Sequence, residues 1–354
     1  MKKIILIFSL LSIVLVSSPK EALFYKKIEG NFVQCFLCPR KCVIKAGEYG
    51  FCRARKNIDG TLYSMGYSSP CSVAIDPIEK KPFFHFLPGT DTFSIASAGC
   101  SLRCKFCQNW QISQYSPEET KNFNLPPEKV IEYAKKNKCL SIAYTYSEPV
   151  NFYEYMFDTS KIAKENKIKN IVHTSGFINT QPLEQLCPYI DAVNVDLKGF
   201  NEEYYKNICQ GDLQTILNTL KIFKKHKIWI EITNLILPGY NDKPEEIEKM
   251  CIWIKENLGD YVPLHFSRFY PMYQMKFLPS TPVSTLEEAY KIAKKVGLKY
   301  VYIGNVPGTK YENTYCPYCD KLLIKRVGFS VLENNIVNSK CKYCGKKIEG
   351  VWEK

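Results

Sequence analysis

The sequence predicts an α/β protein: an open or partial TIM-type (β/α) barrel with an N-terminal cysteine-rich extension and a small C-terminal zinc-ribbon-like module. Three observations predict it. Seven apolar or β-branched runs alternate with helix-like stretches between residues 93 and 306, the pattern of β/α units around a parallel sheet. Sixteen cysteines fall largely in groups at ligand-like spacings. The composition also changes on either side of the β/α region. A chain of 354 residues with 45% hydrophobic content excludes a disordered protein. It divides into a signal-like or anchor segment at 1–19, the extension at 20–90, the barrel at 91–310 and the module at 311–354.

The first segment joins Lys2 and Lys3 to a 13-residue apolar run from Ile4 to Val16, then Ser17 and Ser18. That is the n-region and h-region of a secretory signal, and it is short for a span of about 20 residues. The cysteine grouping argues against export, because clustered ligand-like cysteines in an enzyme-sized chain fit a reducing compartment. The expectation is a cytoplasmic protein whose contact with a membrane, where there is one, runs through this segment. A translation start near Lys20 is the alternative.

In the extension, Cys35, Cys38 and Cys42 are followed ten residues later by Cys52. This set can ligate zinc or a second cluster, or pack without metal. Gly47 and Gly50 permit the tight turns of such a knot. Residues 76–89 (DPIEKKPFFHFLPG) read as an irregular segment packed on the core, with His85 as a packed or capped histidine rather than a ligand.

The barrel begins with a strand at 93–98 and, directly after Gly99, the loop Cys100-Ser101-Leu102-Arg103-Cys104-Lys105-Phe106-Cys107. Iron–sulfur clusters are held by cysteine thiolates, and a four-iron cluster normally takes four. Three ligands leave one iron free to bind something else. A zinc corner or three buried thiols are the competing readings, but zinc ligands usually come as paired C-x2-C knuckles. Further strands are expected at 140–145, 170–174, 192–197, 228–237, 264–269 and 300–303. Pro126-Pro127 opens one helix with Val130, Ile131 and Ala134 on its apolar face. Ile247, Met250, Cys251, Ile254 and Leu258 mark another, stopped by Gly259. Ser284 and Glu287 form a capping box for a last helix ended by Gly297.

In TIM-type barrels the chemistry sits at the C-terminal ends of the strands. Polar residues recur there: Glu148 in TYSEP, Thr174 and Ser175 beside His173, Asp196 and Lys198, Asn234, then His265 with Ser267 and Arg268. Each alone is weak; their repetition marks the site. Beyond Val306, Cys316, Cys319, Cys341 and Cys344 form two C-x2-C knuckles with 21 residues between them, one beyond the usual ribbon window. Four thiolates close a tetrahedral site, so the metal, zinc or iron in its place, is structural. A hairpin around Glu333-Asn334-Asn335 is expected between the knuckles.

The C-x3-C-x2-C spacing with Phe106 resembles the signature of the radical S-adenosylmethionine (SAM) superfamily. The phrases CFLCPRKC, DPIEKKPFFHFLPG, CKFCQNW, YTYSEP, DLKGF, LILPGYND, PLHFSRFYP and YIGNVPG look like those of its pyruvate formate-lyase activating enzyme branch. Within that branch they look most like the radical SAM member of the AmmeMemoRadiSam system. The resemblance implies a radical SAM barrel with a [4Fe–4S] cluster on Cys100, Cys104 and Cys107, and SAM contacts around Glu148, Thr174, Ser175 and Asp196. Lys198 would lie near the substrate or the SAM carboxylate, with Asn234 and His265 as further cofactor-binding candidates. It also implies an oxidoreductase that cleaves SAM reductively and abstracts hydrogen, from a protein partner, with a low-potential donor such as a flavodoxin or ferredoxin. Activating enzymes typically place an Asp where this chain has His173, so their monovalent-cation site does not carry over. The alternatives are radical modification of a small molecule or RNA, and a non-catalytic metal-stabilised binding module. Net charge is +13, but the lysines are dispersed; without a basic block, nucleic acid is not the favoured partner.

Overall fold

The computed structural model describes residues 19–353, so the signal-like segment lies outside the described residues except for Pro19. Among the described residues no helix is long and apolar enough to cross a membrane. A single eight-stranded sheet organises the chain. Its strands are β1 (Ser72–Pro77), β2 (Asp91–Ala96), β3 (Ser141–Tyr144), β4 (Lys169–Thr174), β5 (Ala192–Asp196), β6 (Trp229–Ile236), β7 (Leu264–Arg268) and β8 (Val301–Gly304), hydrogen-bonded in strict sequence order. The seven expected strands are β2 to β8, all parallel. The sheet is mixed because β1 runs antiparallel to β2, from Ser72 opposite Ala96 to Pro77 opposite Asp91. The edge strands β1 and β8 do not pair, so the sheet is open.

β1 escapes the sequence reading for a physical reason. It is an edge strand without alternation of burial, and it ends on a proline, which only edges and strand ends tolerate.

The two faces of the sheet have different covers. Odd residues of β2 (Phe93, Ile95), even residues of β3 (Ile142, Tyr144) and their equivalents Val172, Val193, Val195, Ile230 and Ile232 join the helices in the main core. On the other face Ala143, Ile171 and Ala192 meet Phe83, Phe86 and Leu87. The irregular segment 78–89 thus fills this face towards the strand N-termini. There Asn194 on β5 donates to the Pro82 carbonyl at 2.8 Å and accepts from Thr233 on β6 at 2.8 Å. His85 is packed, its Nδ1 2.7 Å from the Glu349 carbonyl and its Nε2 2.5 Å from the Tyr302 hydroxyl. Burial holds its imidazole down at about 4, so it is neutral there.

Two local expectations are corrected. The last long helix spans Val283–Val296 behind Pro282 with no side-chain cap. Pro282 itself sets the extended φ that precedes the first turn, leaving Ser284 inside the helix rather than at its cap. Gly297 does end it, in the left-handed region at φ +102°. In the module, the hairpin joins Leu322–Val327 to Ser330–Asn334, so the chain turns at Gly328 and Phe329. Glu333 and Asn334 continue the second strand, because Gly328 supplies the positive φ (+58°) that a tight hairpin needs.

The extension forms two small antiparallel sheets, Tyr25–Ile28 with Phe32–Cys35 and Val43–Ile44, and Lys20–Glu21 with Thr61–Ser64 and Arg55–Ile58. Val33, Ile44 and Leu62 belong to the main core. Arg55, fully buried, pairs with Glu154 on the helix Tyr153–Glu165, whose carboxylate also accepts from the Leu23 N–H at 2.8 Å.

Candidate functional site

The cysteine loop leaves the C-terminal end of β2 through Gly99, at φ +99°. A Cβ there would stand 2.5 Å from the Cys52 carbonyl oxygen, so glycine lets the loop lie against the extension. The same carbonyl accepts from the Cys100 N–H at 3.0 Å. On its other side the loop is held by the π-helical turn Tyr205–Cys209: Arg103 N–H donates to the Cys209 carbonyl at 2.9 Å and Lys105 N–H to that of Ile208 at 3.0 Å. Single π-helical turns recur at functional sites. Arg103 also donates to the Cys100 carbonyl at 2.6 Å.

Two of the three thiols have short-range polar contacts. Leu102 N–H lies 3.3 Å from Cys100 Sγ, and the Ser113 hydroxyl 3.2 Å from Cys107 Sγ. Burial pushes the Cys100 and Cys107 thiols up; for Cys104 the neighbouring Cys209 thiol does so first, with burial second. Such thiols become thiolates only against strong positive charge, which a metal centre provides. No three of these sulfurs lie within 4.8 Å of one another, whereas those of Cys316, Cys319, Cys341 and Cys344 all do. Cys209 was not singled out in the sequence, since it stands at no motif spacing; only the π-helical turn brings it to Cys104.

Beside the loop, at the ends of β4 and β5, lies a charged cluster. Asp196 accepts from Lys198 Nζ at 2.7 Å and sits 3.0 Å from His173 Nε2. Burial would raise the Asp196 carboxyl, but Lys198 and His173 outweigh it and hold it well below the usual carboxylate range. Lys198, opposed by burial yet drawn up by Asp196 and Cys104, stays charged. Its ammonium is 5.9 Å from the centre of the Phe106 ring.

Glu148, Thr174 and Ser175 are also brought together. The buried Glu148 carboxylate accepts from Thr174 Oγ1 at 2.5 Å, from Val150 N–H at 3.2 Å, and from Ser175 N–H and Oγ at 2.8 and 2.5 Å. A carboxylate has about four acceptor sites. All are taken by the protein, so Glu148 braces the β3 loop against the end of β4.

Two expected site residues are placed elsewhere. His265 is buried with its Nε2 2.7 Å from Glu231, edge-on to Phe84 at 4.8 Å and stacked on Tyr302 at 5.0 Å. Although it is in register with Asp196 through Thr233, its ring is taken up by these three partners. Asn234 lies on the helix-packed face by strand alternation, and its amide donates to the Leu197 carbonyl at 2.7 Å. With Asn241, which donates to the Lys198 carbonyl at 2.6 Å, it positions the loop bearing Lys198. Tyr146 was not anticipated either: at φ +66° it hydrogen-bonds Asp76, which also binds Lys81 Nζ at 2.8 Å.

The C-terminal cysteines converge at 3.6 Å (Cys316 to Cys344) and 3.8 Å (Cys319 to Cys341). Four ligands 2.3 Å from one zinc ion would stand about 3.8 Å apart in a tetrahedron, so the donor set fits one metal ion. The other four, Cys35, Cys38, Cys42 and Cys52, line a single cavity.

Residues 94–253 match the family model described as Radical SAM superfamily. An uncharacterized protein of Methanocaldococcus jannaschii is 49% identical over 332 residues, covering 93% of this chain and 99% of that one. The pyruvate formate-lyase-activating enzyme of Clostridium pasteurianum is 24% identical over 163 residues, 44% of this chain and 66% of that one. Among solved structures, a radical SAM methyltransferase from Sphaerobacter thermophilus superposes with a TM-score of 0.50 at 15% identity, covering 62% of this chain and 67% of the other; this likeness concerns the fold alone. With its cysteine loop at the end of the first parallel strand and the family match spanning that loop, the region 94–253 is similar to the radical SAM superfamily.

Proposed function

We propose that this protein is a radical SAM enzyme whose cluster is held by Cys100, Cys104 and Cys107, and that it abstracts hydrogen from a protein partner. The observation that carries the reading is the three-thiol loop at the C-terminal end of the parallel sheet, with its sulfurs held too far apart for a single ion. The residues present fit the group: buried thiols, donors onto two of the sulfurs, and a charged Lys198 nearby. Held by Cys100, Cys104 and Cys107, a [4Fe–4S] cluster would supply the electron for reductive cleavage of SAM and so the hydrogen-abstracting chemistry.

The remaining residues bind and orient. Lys198 offers a cation for the SAM carboxylate or for a substrate carbonyl, and Asp196 with His173 keeps it charged and aimed. Glu148 locks Thr174 and Ser175, so the backbone at the end of β4 keeps its shape beside the cofactor. Segment 78–89 closes the opposite end of this face and excludes water from that side.

The low-identity likeness to activating enzymes supports a protein substrate, with a glycyl-type backbone radical as product and a flavodoxin- or ferredoxin-class donor. The phrases quoted above support the AmmeMemoRadiSam reading, and sixteen cysteines free of disulfides suit a cytoplasmic protein. The test is anaerobic incubation of the iron–sulfur-loaded protein with SAM and dithionite. The expected result is 5′-deoxyadenosine and methionine from the wild type and none above background from Cys104→Ala. Equal product from that variant sinks the assignment. A persistent organic radical on a co-purified protein supports the activating subtype, and modified RNA or small-molecule product replaces it.

A further inference from the structure

We infer that the cavity walled by Cys35, Cys38, Cys42 and Cys52 is the site of a second iron–sulfur cluster, liganded at every iron by the protein. All four residues line one cavity. No three of their sulfurs lie within 4.8 Å of one another. One zinc ion demands sulfur separations of about 3.8 Å, and the C-terminal set of the same chain shows that spacing, at 3.6 and 3.8 Å. Four cysteines around a cavity, held further apart than one ion allows, suit a core of several atoms with the thiolates on its outer corners.

A second observation points to a ligand. Asn151 lines the same cavity, is buried, and its Nδ2 has no partner. Buried Arg55 also lines it, donating to Cys35 Sγ at 3.3 Å while its Nε is unpartnered. A buried donor without an acceptor is unfavourable by itself, and the sulfides and thiolates of an anionic cluster are the acceptors that these N–H groups lack. Arg40 adds positive charge to the wall and donates to the Ser101 carbonyl at 2.6 Å. Through that bond, and through the Cys52 carbonyl that accepts from Cys100, the cavity adjoins the loop of the first cluster. Saturated by four thiolates, this centre takes up and releases an electron and has no corner for SAM.

The site is independent of the reading of Cys100, Cys104 and Cys107, and metal analysis separates the two. The anaerobically reconstituted wild type should hold about eight irons and eight sulfides per chain, two four-iron clusters. Cys38→Ala with Cys42→Ala should drop to about half of both and keep an EPR signal that shifts when SAM is added. Cys100→Ala, Cys104→Ala and Cys107→Ala together should likewise keep about half, with a signal insensitive to SAM. Should the double variant fail to fold, the triple variant decides: sulfide-free protein carrying zinc at these cysteines overturns the inference, as does an unchanged iron count in the double variant.

Discussion

The two ends of the chain carry the same ligand type, four cysteines each, and put them to different use. At the C-terminus the sulfurs close to within 4.8 Å of one another. They stand on short hairpins whose small core, Leu323, Ile324 and Ile348 with Tyr300, Tyr302 and Phe84, is separate from the main one. At the N-terminus the four cysteines line a cavity, and the extension that carries them shares the main core through Val33, Ile44 and Leu62. A module with so small a core would depend on a bound ion, and four thiols this close together suit one. An extension anchored in a large core can hold its thiols apart and present them to a larger group.

This contrast can be broken first at the module. Replacing Cys316 and Cys341 by serine removes its metal, and structural zinc sites contribute on the order of 10 kcal/mol to small folds. Hydrogen exchange should show loss of protection across residues 314–341, while the iron bound elsewhere is retained; preserved protection would mean that packing alone holds the module.

At the other end the stabilising element is ionic. Arg55→Met leaves Glu154 buried without a countercharge, a change worth about 3–5 kcal/mol. Urea unfolding should register it, and adding Glu154→Gln should recover part of the loss. If Arg55→Met leaves the midpoint unchanged, the extension is not fastened through this pair.

The smallest effects compare two glycines with positive φ. Gly328 at +58° has open space around it, so Gly328→Ala should cost about 1 kcal/mol, the left-handed penalty alone. Gly99 at +99° would also drive a Cβ against the Cys52 carbonyl and Ala54. Gly99→Ala should therefore lower the melting temperature more than Gly328→Ala and weaken iron retention. Equal shifts would show that the loop and the extension are not pressed together.

Much of the fold was legible because parallel strands buried on both faces are continuous apolar runs, which is how β2 to β8 stand out. β1 was not legible, being an edge strand without alternating burial that pairs with β2 alone. The cysteine loop, Asp196 with Lys198, and Glu148 with Thr174 and Ser175 were legible as polar residues following strands. Their roles were not: that the Glu148 carboxylate is filled by Thr174, Ser175 and Val150 depends on two loops meeting. For His265 the partners were not legible either, because a histidine near a strand's end looks the same in sequence whatever it faces, here Glu231, Phe84 and Tyr302.

By itself the sequence determined the order of β/α units, the loop that bears three thiols, and the presence of two further four-cysteine sets. These are local facts, set by residue type and spacing along the chain. Only the tertiary structure decided which sulfurs converge on one ion and which stand around a cavity, and that Cys209, Arg40 and Cys52 reach the central loop. Those outcomes depend on distances between segments far apart in sequence, fixed by how the extension, the π-helical turn and the module pack on one sheet.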